Sequence, residues 1–167
     1  MTLRASLIAA LCVCGCLCGC GQASHELEGS LSTLVSLKYD TAELLHSDDE
    51  IALRFFQKRE SGEDTTFKLS YKTSGVALQS KVPLQLEAMT PDGSGQRTSV
   101  SRDVLDDPRT TFPPVERGEL TFDQAPDLSG PLEAGRKVTG NLHVTFVQCT
   151  DFGCGRTVFG NFEANLQ

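Results

Sequence analysis

The chain's 167 residues are 39% hydrophobic and 22% charged. That balance suits one domain and excludes a collagen-like, low-complexity or wholly disordered chain. Fifteen basic against 22 acidic residues give a formal charge of −7, so a phosphate backbone is repelled and no nucleic acid is expected as partner. From its start, the chain runs Met1-Thr2-Leu3-Arg4, a short positive segment, then an apolar stretch from Ala5 to Val13 of signal-peptide length. No further charge appears until Glu26. Five of the seven cysteines, Cys12, Cys14, Cys16, Cys18 and Cys20, alternate through this region. No metal site uses that spacing, and they read as small hydrophobes.

Leu17-Cys18-Gly19-Cys20 resembles the lipobox of bacterial lipoprotein precursors, with an aliphatic residue, a small residue and then the acceptor cysteine. The resemblance covers about the first 20 residues, and Cys18 stands where Ser, Ala or Thr is usual. It implies a lipoprotein signal peptide over 1–19, a diacylglyceryl group on the Cys20 thiol, and fatty acylation (palmitate) of the new amino group. One acyl chain binds a bilayer marginally and two or more bind it stably, so the membrane would be a partner through the N-terminal lipid. Gly21 follows the acceptor in place of the Asp that retains some lipoproteins on the inner membrane, which favours the outer membrane. Three alternatives remain open. Val13-Cys14-Gly15-Cys16 fits the same pattern with a shorter leader. Gly21-Gln22-Ala23 suits ordinary secretory cleavage, giving a secreted or periplasmic soluble domain. The uncharged run is also marginally long enough for an uncleaved helix. All of these take the chain out of the cytoplasm.

From Cys20 onward 148 residues remain, with 14 basic and 22 acidic, a charge of −8. Residues 20–31 are small and polar and read as a flexible tether, leaving 32–167 as the body. Val35, Leu37 and Tyr39 then alternate with polar neighbours, and one helical turn is expected near Thr41–His46. Ile51, Leu53 and Phe55 alternate again, as do Phe67, Leu69 and Tyr71 after a polar turn at 59–64. Antiparallel pairing of 55 with 67, 53 with 69 and 51 with 71 gathers every large apolar residue on one face. Further strands are expected at Val82–Met89 and Glu119–Phe122, with a weaker one near Gln96–Val104. Five prolines make 105–135 loop-rich, with at most one short strand.

At the C-terminus, Val138–Val147 and Arg156–Leu166 form two alternating arms around Cys149 and Cys154. Placing the cysteines opposite each other turns Phe146 to the wrong face. A one-residue bulge at Gly153 or Gly155 would bring Phe146 opposite Val158 and Leu142 opposite Phe162. The pattern predicts an all-β fold: an antiparallel β-sandwich, immunoglobulin-like or related, of 7–8 strands, with a small closed β-barrel as alternative. The paired forms Gly140-x-Leu142-x-Val144-x-Phe146 and Gly160-x-Phe162-x-Ala164-x-Leu166 resemble the closing hairpin of small bacterial envelope lipoproteins. That likeness spans about 30 residues and concerns the fold.

Outside the cytoplasm Cys149 and Cys154 are expected to form a disulfide. Their C-x4-C spacing is not that of a redox dithiol, and His25, His46 and His143 are not at ligand spacing to them. No metal or cofactor is therefore expected. Acidic groups at Asp48-Asp49-Glu50, at Asp92, and at Asp103 with Asp106 and Asp107 offer oxygen ligands for calcium. Polar turns explain them better. His143 falls on the outward side of its strand, and no hydrolase, nucleotide-binding or paired-histidine motif is present, so no catalytic residue is assigned. Phe56 and Phe159 break the alternation; the favoured reading is that both faces of their strands are covered, by the partner sheet and by loops such as 105–135, and the alternative is that they are exposed and mark a glycan or protein contact. The expectation is a lipid-anchored, monomeric envelope lipoprotein carrying a non-enzymatic binding or structural module for an unidentified protein or glycan. The alternatives are a secreted soluble domain, an atypical glycan-active hydrolase, or an adaptor of a larger complex.

Overall fold

The computed structural model describes residues 25–167 apart from Asp48, Pro91, Ser94 and 128–134. Eleven strands form among the described residues. They are β1 (His25–Glu26), β2 (Lys38–Tyr39), β3 (Thr41–Ser47), β4 (Glu50–Arg59), β5 (Gly62–Lys72), β6 (Leu84–Gln85), β7 (Thr98–Val104), β8 (Asp107–Thr111), β9 (Val115–Phe122), β10 (Lys137–Phe146) and β11 (Thr157–Leu166). Three of them, β1, β2 and β6, are two-residue pieces, so eight are longer. β1 pairs with β2, and the other nine make one sheet in the order β6-β9-β10-β11-β3-β4-β5-β7-β8. Every neighbour is antiparallel except β11 with β3, which are parallel through Ala164–Ala42 and Leu166–Leu44.

This sheet does not close; β6 and β8 are its ends. It folds over its middle instead. Phe55 of β4 meets Phe162 of β11 edge-on at 6.5 Å, and Phe112, just after β8, stacks at 5.4 Å on Phe146 of β10. The inward residues of both halves join one core. The fold is therefore an all-β sandwich, in which alternation supplies one apolar face per strand and burial of that face drives the two halves together.

The β4–β5 hairpin has the expected register, with Phe55 opposite Phe67, Leu53 opposite Leu69 and Ile51 opposite Tyr71. A bulge follows Phe55, and the extra residue, Thr66, donates its hydroxyl to the Phe55 carbonyl at 3.2 Å.

Several local expectations are corrected. The helical turn expected at Thr41–His46 is strand β3, because Ala42 and Leu44 alternate inward between β11 and β4. The one turn of 3-10 helix is at Ser30–Thr33. Within Val82–Met89 only Leu84–Gln85 pairs as a strand. The loop-rich segment holds both β8 and an eight-residue β9, since Pro108 sits on an edge strand where its missing N–H costs no ladder bond. Of the expected tether, residues 20–24 lie outside the described residues and 25–31 belong to the body. Leu27 and Leu31 are fully buried, and Glu28 and Phe159 exchange backbone bonds of 2.8 and 2.9 Å.

The register of β10–β11 also differs from expectation. Val144, not Phe146, lies opposite Val158, and Gly140 lies opposite Phe162. The extra residue falls on the first arm, because Phe146 bonds to Arg156 at 3.0 Å before the chain reaches Cys149. The two glycines explain the shift. A Cβ on Gly140 would lie 2.8 Å from the Phe162 ring, and one on Gly160 would lie 2.9 Å from a Leu27 methyl. Each glycine is a hollow filled by a large neighbour.

Candidate functional site

β5 ends inward with Tyr71, and β7 begins at Thr98 directly opposite it. That pairing puts Arg97 at the inner end of the ladder, where Lys72 and Arg97 share a backbone bond of 2.9 Å. The Arg97 side chain is only 6% exposed. Its guanidinium lies 5.0 Å from the centre of the Tyr71 ring, Nε donates to the Lys72 carbonyl at 3.4 Å, and Nη1 donates to Glu87 Oε2 at 3.2 Å. Glu87 itself is 58% exposed, although its carbonyl is fixed by the Thr98 hydroxyl at 2.6 Å.

The segment from Val76 to Glu87 runs beside this arginine and borders an open cleft of about 280 Å³, with Leu78, Val82, Leu84 and Phe122 among its walls. That is close to the small end of the range of small-molecule sites, roughly 300–1,000 Å³. Burial raises the Tyr71 phenol above its ordinary value of 10.0, against the opposing positive charge of Arg97. Walls that are apolar at Val76, Leu78, Val82, Leu84 and Phe122 and polar at Arg97, Glu87, Tyr71, Gln79 and Gln85 make a site that can hold a small amphipathic molecule in a fixed orientation.

A second polar region flanks β1. Two adjoining depressions of about 510 and 620 Å³ share His25, Tyr39 and Asn161. The His25 ring stacks on Tyr39 at 5.5 Å, and the Tyr39 hydroxyl donates to the Asn161 carbonyl at 3.5 Å. Burial raises the Tyr39 phenol above 10.0. Phe159 is 41% exposed and meets His143, its cross-strand partner, edge-on at 6.2 Å. The two residues that broke the alternation thus have opposite fates. Phe159 is presented to solvent, whereas Phe56 is 4% exposed beneath Arg54, whose guanidinium carbon is 4.5 Å from the ring centre. Arg54 is held there by Glu43 and Glu63, each at 2.8 Å, and by Thr65 at 2.8 Å.

The acidic residues considered for calcium are spread out. Asp106 pairs with Arg59 at 3.3 Å and Asp107 with Arg102 at 3.0 Å. Among the described residues no three metal-ligating side chains converge, and Asp48 lies outside them. Cys149 and Cys154 lie at disulfide distance, with Cα atoms 5.2 Å apart. Their loop packs against the core through Phe152, 5.9 Å from Phe112. Cys20, Cys16 and Ala23 are outside the described residues. Sequence reasoning missed Arg97, Glu87 and Tyr71 as a group, since their meeting depends on the β5–β7 pairing. The available signal was an arginine standing directly before the first inward residue of β7, Thr98.

Comparison of the chain with protein-family models, with curated proteins and with solved structures finds no match.

Proposed function

We propose that this protein is a cell-envelope lipoprotein, held at the outer membrane by lipid on Cys20, whose β-sandwich is a non-catalytic binding or structural module. The observation that carries this reading is Leu17-Cys18-Gly19-Cys20 at the end of a charge-free run that begins after Arg4. The position of the body supports it. The first described strand begins at His25, and five residues span at most about 18 Å, so an acylated Cys20 would hold the sandwich beside the bilayer. A monomer suits the edge strand β8, whose Asp107, Pro108 and Arg109 oppose pairing with a second sheet.

Intact mass spectrometry of the membrane fraction, with and without reduction, tests the proposal. The expected species starts at acylated Cys20 and gains two hydrogen atoms (two electrons and two protons, taken up from the reductant and water) on reduction of Cys149–Cys154. Cys20→Ser should release the chain from membranes. A freely diffusing, unacylated chain starting at Ser24 would establish the second reading, a secreted domain, which Gly21-Gln22-Ala23 favours.

A further inference from the structure

We infer that the cavity beside Val76–Glu87 binds a small apolar carboxylate, whose charged group replaces Glu87 on the Arg97 guanidinium. The inference deepens the reading of the sandwich as a binding module and is independent of the lipid anchor.

Arg97 carries the argument. A guanidinium has five N–H donors in a planar fork suited to both oxygens of a carboxylate. At 6% exposure it gains little from water, yet its one anionic partner contributes a single contact at 3.2 Å. Its other neighbours are the Lys72 carbonyl at 3.4 Å and the face of the Tyr71 ring, whose centre is 5.0 Å away. Two-point binding by a carboxylate is the stronger arrangement. Glu87 is the displaceable member of the pair, because at 58% exposure it can turn into water and be solvated there. An incoming carboxylate then leaves the charge balance at Arg97 unchanged, and a buried cation needs that balance. The rest of the ligand is set by the walls. Leu78, Val82, Leu84 and Phe122 line the same cavity, so the body attached to the carboxylate is hydrocarbon, and a volume of about 280 Å³ keeps it short.

The chain has two tyrosines, one in this cavity and one, Tyr39, in the depressions beside β1. Tyrosine-ring 13C labelling of the full chain therefore reports both regions at once. Hexanoate is the probe and hexanol its uncharged control. Hexanoate should move the Tyr71 signal saturably and leave Tyr39 in place, with hexanol at least tenfold weaker. Glu87→Gln removes the internal competitor and should tighten hexanoate binding about 2- to 5-fold, whereas Arg97→Met should abolish it. If Arg97→Met unfolds the chain, both tyrosine signals collapse together, and Glu87→Gln still decides the matter. Equal response to hexanol, no response at Tyr71, or weaker binding in Glu87→Gln would overturn the inference. Movement of Tyr39 alone would overturn it too, while preserving the binding-module reading through the other surface.

Discussion

Replacing Leu27 by Ala removes an isopropyl group from a side chain that is fully buried and fills the hollow over Gly160. Buried Leu→Ala changes cost about 2–5 kcal/mol, more where the surroundings cannot close in. Here they are pinned: the neighbouring Glu28 is tied to Phe159 by two backbone bonds. The expected loss is therefore about 3–4 kcal/mol. Gly160→Ala adds a methyl 2.9 Å from a Leu27 carbon, an overpacking worth about 1–3 kcal/mol. In the double variant that methyl enters space already vacated. Its stability should exceed the additive expectation by about 1 kcal/mol or more. Urea unfolding followed by far-UV circular dichroism measures all three, since the chain has no Trp. A loss below about 1 kcal/mol for Leu27→Ala, or strict additivity, would refute the packing of residues 25–31 and return them to a tether.

Asp64 is buried and held by Arg59 at 2.5 Å and by the Leu105 N–H at 2.8 Å. Arg59→Ala leaves that charge with one donor and should cost about 3 kcal/mol, whereas Asp64→Asn keeps an acceptor and should cost about 1 kcal/mol; the opposite order of urea midpoints would contradict this. Reducing Cys149–Cys154 should lower stability by about 2 kcal/mol, read from the urea midpoint with and without reductant, and an unchanged midpoint would remove the loop from the stability of the fold. Burial raises both tyrosine phenols above 10.0, so the folded state keeps protons that the unfolded state releases. Their stabilising contribution is complete below pH 10 and fades as the pH rises through the folded-state values. Phenolate absorbance should then appear together with alkaline unfolding, and a phenolate band at pH 10 with unchanged circular dichroism would count against it.

What could be read from the sequence followed the range of the interaction responsible. The β4–β5 register is local, decided by six apolar residues that must share a face across one turn, and periodicity exposes it. The β10–β11 register is not local. It depends on Leu27, more than 130 positions away from Gly160 in the chain, entering the hollow that Gly160 leaves. Strand β3 was obscured for a similar reason. In Thr41–Ser47 only Ala42 and Leu44 alternate before Leu45 breaks the pattern, and its place between β11 and β4 extends it. Tertiary context overrode local pattern there. The Arg97 cavity is the extreme case: Tyr71, Glu87 and Phe122 come from three separate stretches, so no spacing motif announces it.

The two polar regions share no lining residue, and that separation has a physical consequence for an anchored chain. If Cys20 sits in the bilayer as proposed, His25, which borders the depressions beside β1, would lie within ~18 Å of the lipid, a distance about twice the physiological Debye length. Glu26, Glu28, Asp40 and Glu163 border those depressions, against Lys137 as their one lysine or arginine. Anionic headgroups therefore repel this end of a chain that carries −8 overall from Cys20 onward. The repulsion opposes adsorption of the sandwich onto the membrane while the tether limits its escape. The Arg97 cavity has none of these residues in its lining, so the charges that meet the headgroups are not those that would hold its ligand. Raising the salt concentration screens the repulsion but acts less on Arg97, whose side chain is only 6% exposed. Adsorption of the anchored chain to anionic vesicles should therefore increase with salt while hexanoate affinity changes little, and a parallel change in both would show that the two regions are coupled.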